Sequence, residues 1–225
     1  MASLGEILVL LLEGVGQTVG IRAGTEQPAF TVVDRVGEVE IRRYASRIAA
    51  ETTVAGPEVE ARNAGFRRVA AYIFGANQAE TGVSMTAPVA QRQAETVAMT
   101  APVAQIRSSE TIAMTAPVAQ AAAAADVWVV QFFMPAKYTL ATLPRPNDPA
   151  VRLTALPPQD FAVLRFTGAR DAKAIAARSK ALKASLAVSG WRVSGQPTAW
   201  FYDPPWTLPF LRRNEVAAPV AKVAP

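Results

Sequence analysis

The chain has 225 residues, 51% of them hydrophobic and 18% charged, with a net charge of +5 and a pI near 9.9. It contains neither cysteine nor histidine, which excludes disulfides, thiolate chemistry, metal sites built on those residues and any serine–histidine–aspartate triad. Its basic residues lie singly or in pairs from Arg22 to Lys222, mixed with acids and without interleaved aromatics, so the positive charge reads as a solvated surface and not as a nucleic-acid interface.

In chain order, Leu4, Ile7, Leu8, Leu11, Leu12, Val15 and Val19 recur at spacings of three and four, which predicts an amphipathic helix over residues 1–22. The uninterrupted apolar run, Ile7 to Leu12, is far too short to span a bilayer. No basic residue precedes it and no cleavage site follows, so it does not read as an export signal. Its apolar face has three outlets: the folded domain, a protein partner, or a membrane interface. Residues 23–28 (AGTEQP) read as a linker.

The folded unit opens with "FTVVDR" and "VEIRRY" around Gly37, a predicted hairpin, followed by "RIAAETTV" as a third strand. A helix is predicted from Pro57 to Phe74, with Glu58 and Glu60 at its start, Gly75 as its stop, and Val59, Phe66, Ala70, Ile73 and Phe74 on its apolar stripe. "VWVVQFFMP", "VRLTALP" and "DFAVLRFTG" read as further strands, and Asp171 as the N-cap of a second helix reaching Val188. "PTAWFYDPP" is predicted as a last long strand and "RRNEV" as a short closing one, with residues 217–225, rich in Ala and Pro, as a disordered tail. Asp203, Arg212, Arg213 and Glu215 read as a structural ion-pair cluster. The apolar loop at 203–211, with Trp206, Leu208, Phe210 and Leu211 among prolines, is either buried or a contact for a partner or membrane. Strand pair, helix and strand in the first half are echoed in the second, which predicts an α+β fold of internal pseudo-twofold symmetry.

Between the first helix and "VWVVQFFMP", residues 82–120 spell one nonamer nearly three times: VSMTAPVAQ at 83–91, VAMTAPVAQ at 97–105 and IAMTAPVAQ at 112–120. The step is too short for a helical solenoid repeat and fits a strand plus a turn, so the segment reads as an inserted β-excursion. The first copy, directly after "YIFGAN", is expected to take the position in the main sheet.

"VEIRRY", "YIFGAN", "MTAPV", "FFMPAKYTLATLPRPND", "FAVLRFTG", "FYDPPWT" and "RRNEV" occur in the order found in the SOUL/haem-binding-protein family, which the chain resembles over about residues 29–216. The resemblance implies a distorted eight-stranded barrel flanked by two helices. It also implies non-enzymatic binding of haem or another tetrapyrrole in a hydrophobic groove beside the first helix, with basic side chains at the propionates. On this chain that groove would be lined by Arg62, Phe66, Arg67, Val69, Ala70 and Ile73. Family members assigned an axial histidine have no counterpart here, so binding would proceed without axial His or Cys ligation, to free porphyrin as readily as to haem, and weakly.

Two functions follow as expectations. One is a tetrapyrrole carrier. The other is an accessory protein that docks through residues 4–19 and the Trp206 loop onto a membrane or membrane-bound complex. The expected location is cytoplasmic, with or without peripheral membrane association. No nucleic-acid partner and no catalytic residue are expected.

Overall fold

The computed structural model describes residues 26–78, 112, 116–124, 126–203 and 206–223. The amphipathic helix expected over 1–22 and the first two nonamer copies lie outside them. The described elements are β1 (Phe30–Val36), β2 (Val39–Tyr44), β3 (Arg47–Ala55), α1 (Glu58–Ile73), β4 (Asn77–Gln78), β5 (Val118–Ala124), β6 (Val127–Phe133), β7 (Arg145–Pro146), β8 (Arg152–Leu156), β9 (Gln159–Phe166), α2 (Ala172–Leu186), β10 (Trp191–Val193), β11 (Thr198–Phe201), a 3-10 turn (Pro209–Leu211) and β12 (Asn214–Lys222).

The first hairpin forms where alternation and a turn residue agree: β1 pairs β2 through Val36↔Val39, and Gly37 between them takes the left-handed φ of 59° that glycine adopts without strain. The main sheet is antiparallel throughout, in the order β1-β2-β9-β12-β11-β5-β6-β3-β8, with β10 added to β12. The run β2-β9-β12-β11 reappears from the other end as β8-β3-β6-β5, and in each half a helix follows the second strand. The described pairings form an open, curled half-barrel with β1 and β8 at its ends, not a closed ring of eight strands.

Period-two alternation sorts the side chains to two faces. On one face α2 covers Val39, Ile41, Ala162, Leu164, Val216 and Ala218, and α1 covers Ala50, Val130 and Phe132. A Cβ at Gly65 would lie 2.5 Å from Cγ2 of Val130, so glycine is what lets α1 come down onto β6. The opposite, helix-free face closes on an aromatic cluster of Tyr44, Phe133, Phe161 and Trp200, with Trp200 5.4–6.0 Å from its three neighbours.

Two expectations fail here. Residues 217–222 are no disordered tail: they complete β12, which runs between β9 and β11, and Ala217 and Ala218 are 0% exposed. Their alternation with Val216 and Val220 sends small side chains to two tightly packed faces, where alanine is the residue that fits. And the copy of the nonamer seated in the main sheet is the third, not the first. Its Val118, Ala119 and Gln120 lie between β6 and β11. The reason is connectivity. Ala124 pairs Val127 through a tight turn with Asp126 at φ 52°, a closure open only to the copy adjoining β6. Among the described residues no helix is long and apolar enough to cross a membrane.

Candidate functional site

Helix α1 begins at a proline that needs no N–H partner and carries Glu58 and Glu60 in its positive first turn. Of the six residues expected to line a groove beside it, Arg62, Phe66, Val69 and Ile73 form one stripe turned toward the sheet. Val69 and Ile73 are 0% and 1% exposed, packed among Val130, Phe132 and Met134, and the Phe66 ring meets that of Phe132 at 5.3 Å, tilted by 52°. Helix-on-sheet packing has therefore used the lower part of the stripe as core, and those two residues form no open groove wall. Ala70 is half-buried beside them. Arg67 points elsewhere: it lines an open depression of about 390 Å³ with Val54, Ala55, Glu60, Ala61, Asn63 and Ala64.

Arg62 is the residue of the six that sits in an unusual environment. Although only 9% exposed, its Nη1 donates to Gln120 Oε1 at 3.5 Å and to the Arg170 carbonyl at 3.3 Å, and lies 3.9 Å from Glu58 Oε1. All three contacts are at the long end of useful range. Its guanidinium stands 5.0 Å over the Phe201 ring, and that of Arg170 stands 5.6 Å over the same ring. Arg170 donates Nη1 to the Asp203 carbonyl at 3.3 Å. Two like charges thus share one aromatic floor at the start of both helices. Burial, then repulsion from Arg62 and Arg212, draws the Arg170 pKa down to about 10, against a partial pull from Asp203. Burial also lowers that of Arg62, opposed by Glu58, whose own carboxyl is pushed up chiefly by desolvation. An incoming anion would favour the charged forms of both arginines and so oppose their depression, while pushing the Glu58 carboxyl further up.

Beside this pair stands an exposed apolar turn. Trp206 is 60% and Phe210 69% exposed, with Leu208 and Leu211 partly so. The turn is pinned: Gly168 N–H donates to the Pro209 carbonyl at 2.9 Å, tying it to the turn that carries Arg170, and Arg212 Nε donates to the Thr207 carbonyl at 2.7 Å. Of the loop flagged in the sequence, the four apolar side chains are exposed, while Asp203 and Thr207 are buried. Arg170 and Phe201 carry no local sequence signal for this role. Only Gly168 and the N-cap Asp171, whose side chain accepts from Ala174 N–H at 2.9 Å, mark the turn that presents Arg170.

The cluster of Asp203, Arg213 and Glu215 is structural, as expected. Glu215, 0% exposed, accepts from Arg42, Arg213 and the Tyr202 hydroxyl, the last at 2.6 Å. Asp203 Oδ2 accepts the Arg213 backbone N–H at 2.6 Å, while Arg212 turns away to Thr207.

The family described as "SOUL heme-binding protein" matches residues 25–219, nearly the whole chain. The protein belongs to the SOUL haem-binding family. Among solved structures, this SOUL-family chain is similar to the EcmrR C-terminal domain, at 12% identity over 82% of this chain and 98% of that one, with a TM-score of 0.54. It is also similar to EcmrR in a cryo-EM complex with DNA, at 11% identity over 96% of this chain and 65% of that one, with a TM-score of 0.52. A hydrolase from Listeria innocua matches at 9% identity over 89% and 94%, with a TM-score of 0.46. At such identities these likenesses describe the fold alone. No curated protein sequence matches the chain.

The family implies a tetrapyrrole, and the residues present can be tested against one. A porphyrin presents a flat apolar face and a carboxylate edge. Arg62 and Arg170 offer under-compensated guanidinium groups for the edge, and Trp206 and Phe210 offer exposed rings for the face. The donor set fits those two parts. It contains no histidine or cysteine for the metal, and among the described residues no three carboxylates cluster closely enough to hold an ion.

Proposed function

We propose that the protein binds a tetrapyrrole, haem or metal-free porphyrin, without catalysing its conversion, and without a histidine or cysteine bond to a central metal. The observation that carries this reading is the placement of the Arg62 and Arg170 guanidinium groups over Phe201, beside the exposed Trp206 and Phe210. Arg62 would hold a carboxylate together with Arg170, and the disc would lie toward the pinned turn. Family membership supports the ligand class. The absence of thiolate and imidazole makes affinity depend on carboxylates and stacking, so metal-free protoporphyrin should bind about as well as hemin.

The test is a spectrophotometric titration of the full chain with hemin and with metal-free protoporphyrin, following the Soret band and the quenching of tryptophan fluorescence. Saturable one-to-one changes with both ligands are expected. Absence of a saturable change with either ends this reading.

The exposure of Trp206, Leu208 and Phe210 favours a second reading, in which this turn and residues 4–19 dock a cytoplasmic protein onto a membrane or a membrane-bound complex. Full-length protein that fails to sediment with liposomes and with cell membranes, as fully as a chain lacking residues 1–22, would dispose of it.

A further inference from the structure

The seat of β5 in the main sheet is defined by few side chains, and the chain carries every one of them three times. In the seated copy, Ala116, Ala119 and Gln120 are 6%, 1% and 3% exposed and Pro117 is buried, while Val118 packs against the α1 core. Val118 pairs Phe132 and Phe201, Ala119 pairs Gln131 and Trp200, and Gln120 pairs Val130 and Ala199. Ala-Pro-Val-Ala-Gln recurs without change at 87–91 and 101–105. Ile112, 1% exposed in the α1 core, is matched by Val97 and Val83 at the same offset.

A strand's register is specified by the pattern of side chains it presents, and it is weakly specified wherever the pattern repeats. Here a shift by one whole copy restores every buried contact of the pentapeptide. What differs lies beyond Gln120. Ala121 and Ala122 continue the pairing opposite Val129 and Trp128, and in a shifted register Ile106 and Arg107 would take those places. Ala121 is half-buried and Ala122 exposed, so a larger apolar residue and a charged one meet tolerant positions. The shift gives up the tight turn into β6 and lengthens that connection by one repeat, a cost that grows only with the logarithm of length.

We propose that the slot between β6 and β11 is shared: residues 101–105 of the same molecule exchange with 116–120 as its occupant, leaving the sheet unchanged while transferring one repeat of chain from the α1–β5 connection to the β5–β6 connection. Gln120 is the residue that meets both Arg62 and the Glu58 carbonyl, and each copy ends in glutamine. Every register therefore rebuilds the same contact beneath Arg62 while altering the length of chain that borders it. This inference does not depend on what the protein binds.

The test uses the full chain with Ala119→Asp, which puts a charge at a buried position and disables the seated copy. The comparison is a triple variant with Ala90→Asp, Ala104→Asp and Ala119→Asp. Exchange predicts that the single variant loses less than half the denaturation-midpoint shift of the triple. A single variant as unstable as the triple overturns the proposal. Occupancy is read in the same background by adding Ala104→Cys and Gln131→Cys, the cross-strand pair that Ala119 and Gln131 now form, in a chain with no other thiol. An intramolecular crosslink on mild oxidation is expected. Rescue without that crosslink, or with one that joins two molecules, also overturns it.

Discussion

Arg42 and Glu215 lie on strands that never pair, since β9 runs between β2 and β12, yet Nη1 and Nη2 of Arg42 donate to Oε2 and Oε1 of Glu215 at 2.9 and 3.2 Å. Arg213 holds the same carboxylate from the other side at 2.7 Å. The pair therefore ties β2 to β12 across β9. Glu215→Ala would leave Arg42, with 5% of its side chain exposed, with the part-buried Glu40 at 2.8 Å as its counter-ion, and would take the buried acceptor from Arg213 and the Tyr202 hydroxyl as well. A loss of about 3–5 kcal/mol in urea-unfolding free energy is expected, as for other broken buried pairs. A loss below about 1 kcal/mol would put the pair in the class of surface bridges.

Tyr202 donates its hydroxyl to the same carboxylate, and its pKa is raised well above the ordinary tyrosine value, by burial first and by the Glu215 charge next. The folded chain therefore keeps a proton that the unfolded chain releases near pH 10. Stability from this group is fully present below that pH and is lost as pH rises through and beyond it. Tyr202→Phe should cost about 1–2 kcal/mol at pH 7 through the lost hydrogen bond. It should also flatten the fall in melting temperature between neutral and strongly alkaline pH. A variant whose alkaline profile parallels the wild type would show that Tyr202 does not govern it.

The central position of β12 makes the C-terminus indispensable. A chain ending at Val216 removes Ala217 to Lys222 from their places beside Val163, Ala162, Phe161 and the three residues of β10. It should lack a cooperative unfolding transition, while a chain ending at Val223 melts like the full-length protein. Retention of a sharp transition by the shorter chain, followed by calorimetry, would return residues 217–222 to the status of a dispensable tail.

What could be read from the sequence was local. Val39 and Ile41 alternate with charged neighbours, Gly37 and Gly75 mark a turn and a helix stop, and Asp171 caps α2 as its residue type demands. The start of β12 was read in "RRNEV", but its continuation past Val216 escaped because alanine and proline carry little strand propensity, although Val216, Ala218 and Val220 keep a period of two into the α2 core. The stripe of α1 was visible, but periodicity alone cannot tell a ligand groove from a helix–sheet seam, and Val69 and Ile73 belong to the seam. The partner of Arg62 was out of reach for another reason: Arg170 stands 108 residues away, and no pattern within either segment records a contact made by the fold.

The Arg62–Arg170 pair separates binding from stability. Folding brings the two guanidinium groups over one ring and lowers the Arg170 pKa to about 10, so at every pH below that value the folded state stays charged there and bears the cost of it. The penalty is relieved as pH rises from about 10 toward the ordinary arginine value, where the unfolded chain still holds the proton. Arg170→Gln keeps a donor for the Asp203 carbonyl and removes the repulsion. At neutral pH its denaturation midpoint should equal or exceed that of the wild type. Its affinity for protoporphyrin should fall roughly ten-fold, the usual weight of one charged hydrogen bond. Porphyrin dimethyl ester, lacking the carboxylates, should bind both forms alike. Unchanged protoporphyrin affinity would remove Arg170 from the site, and a lower midpoint would mean that Arg170 serves the fold.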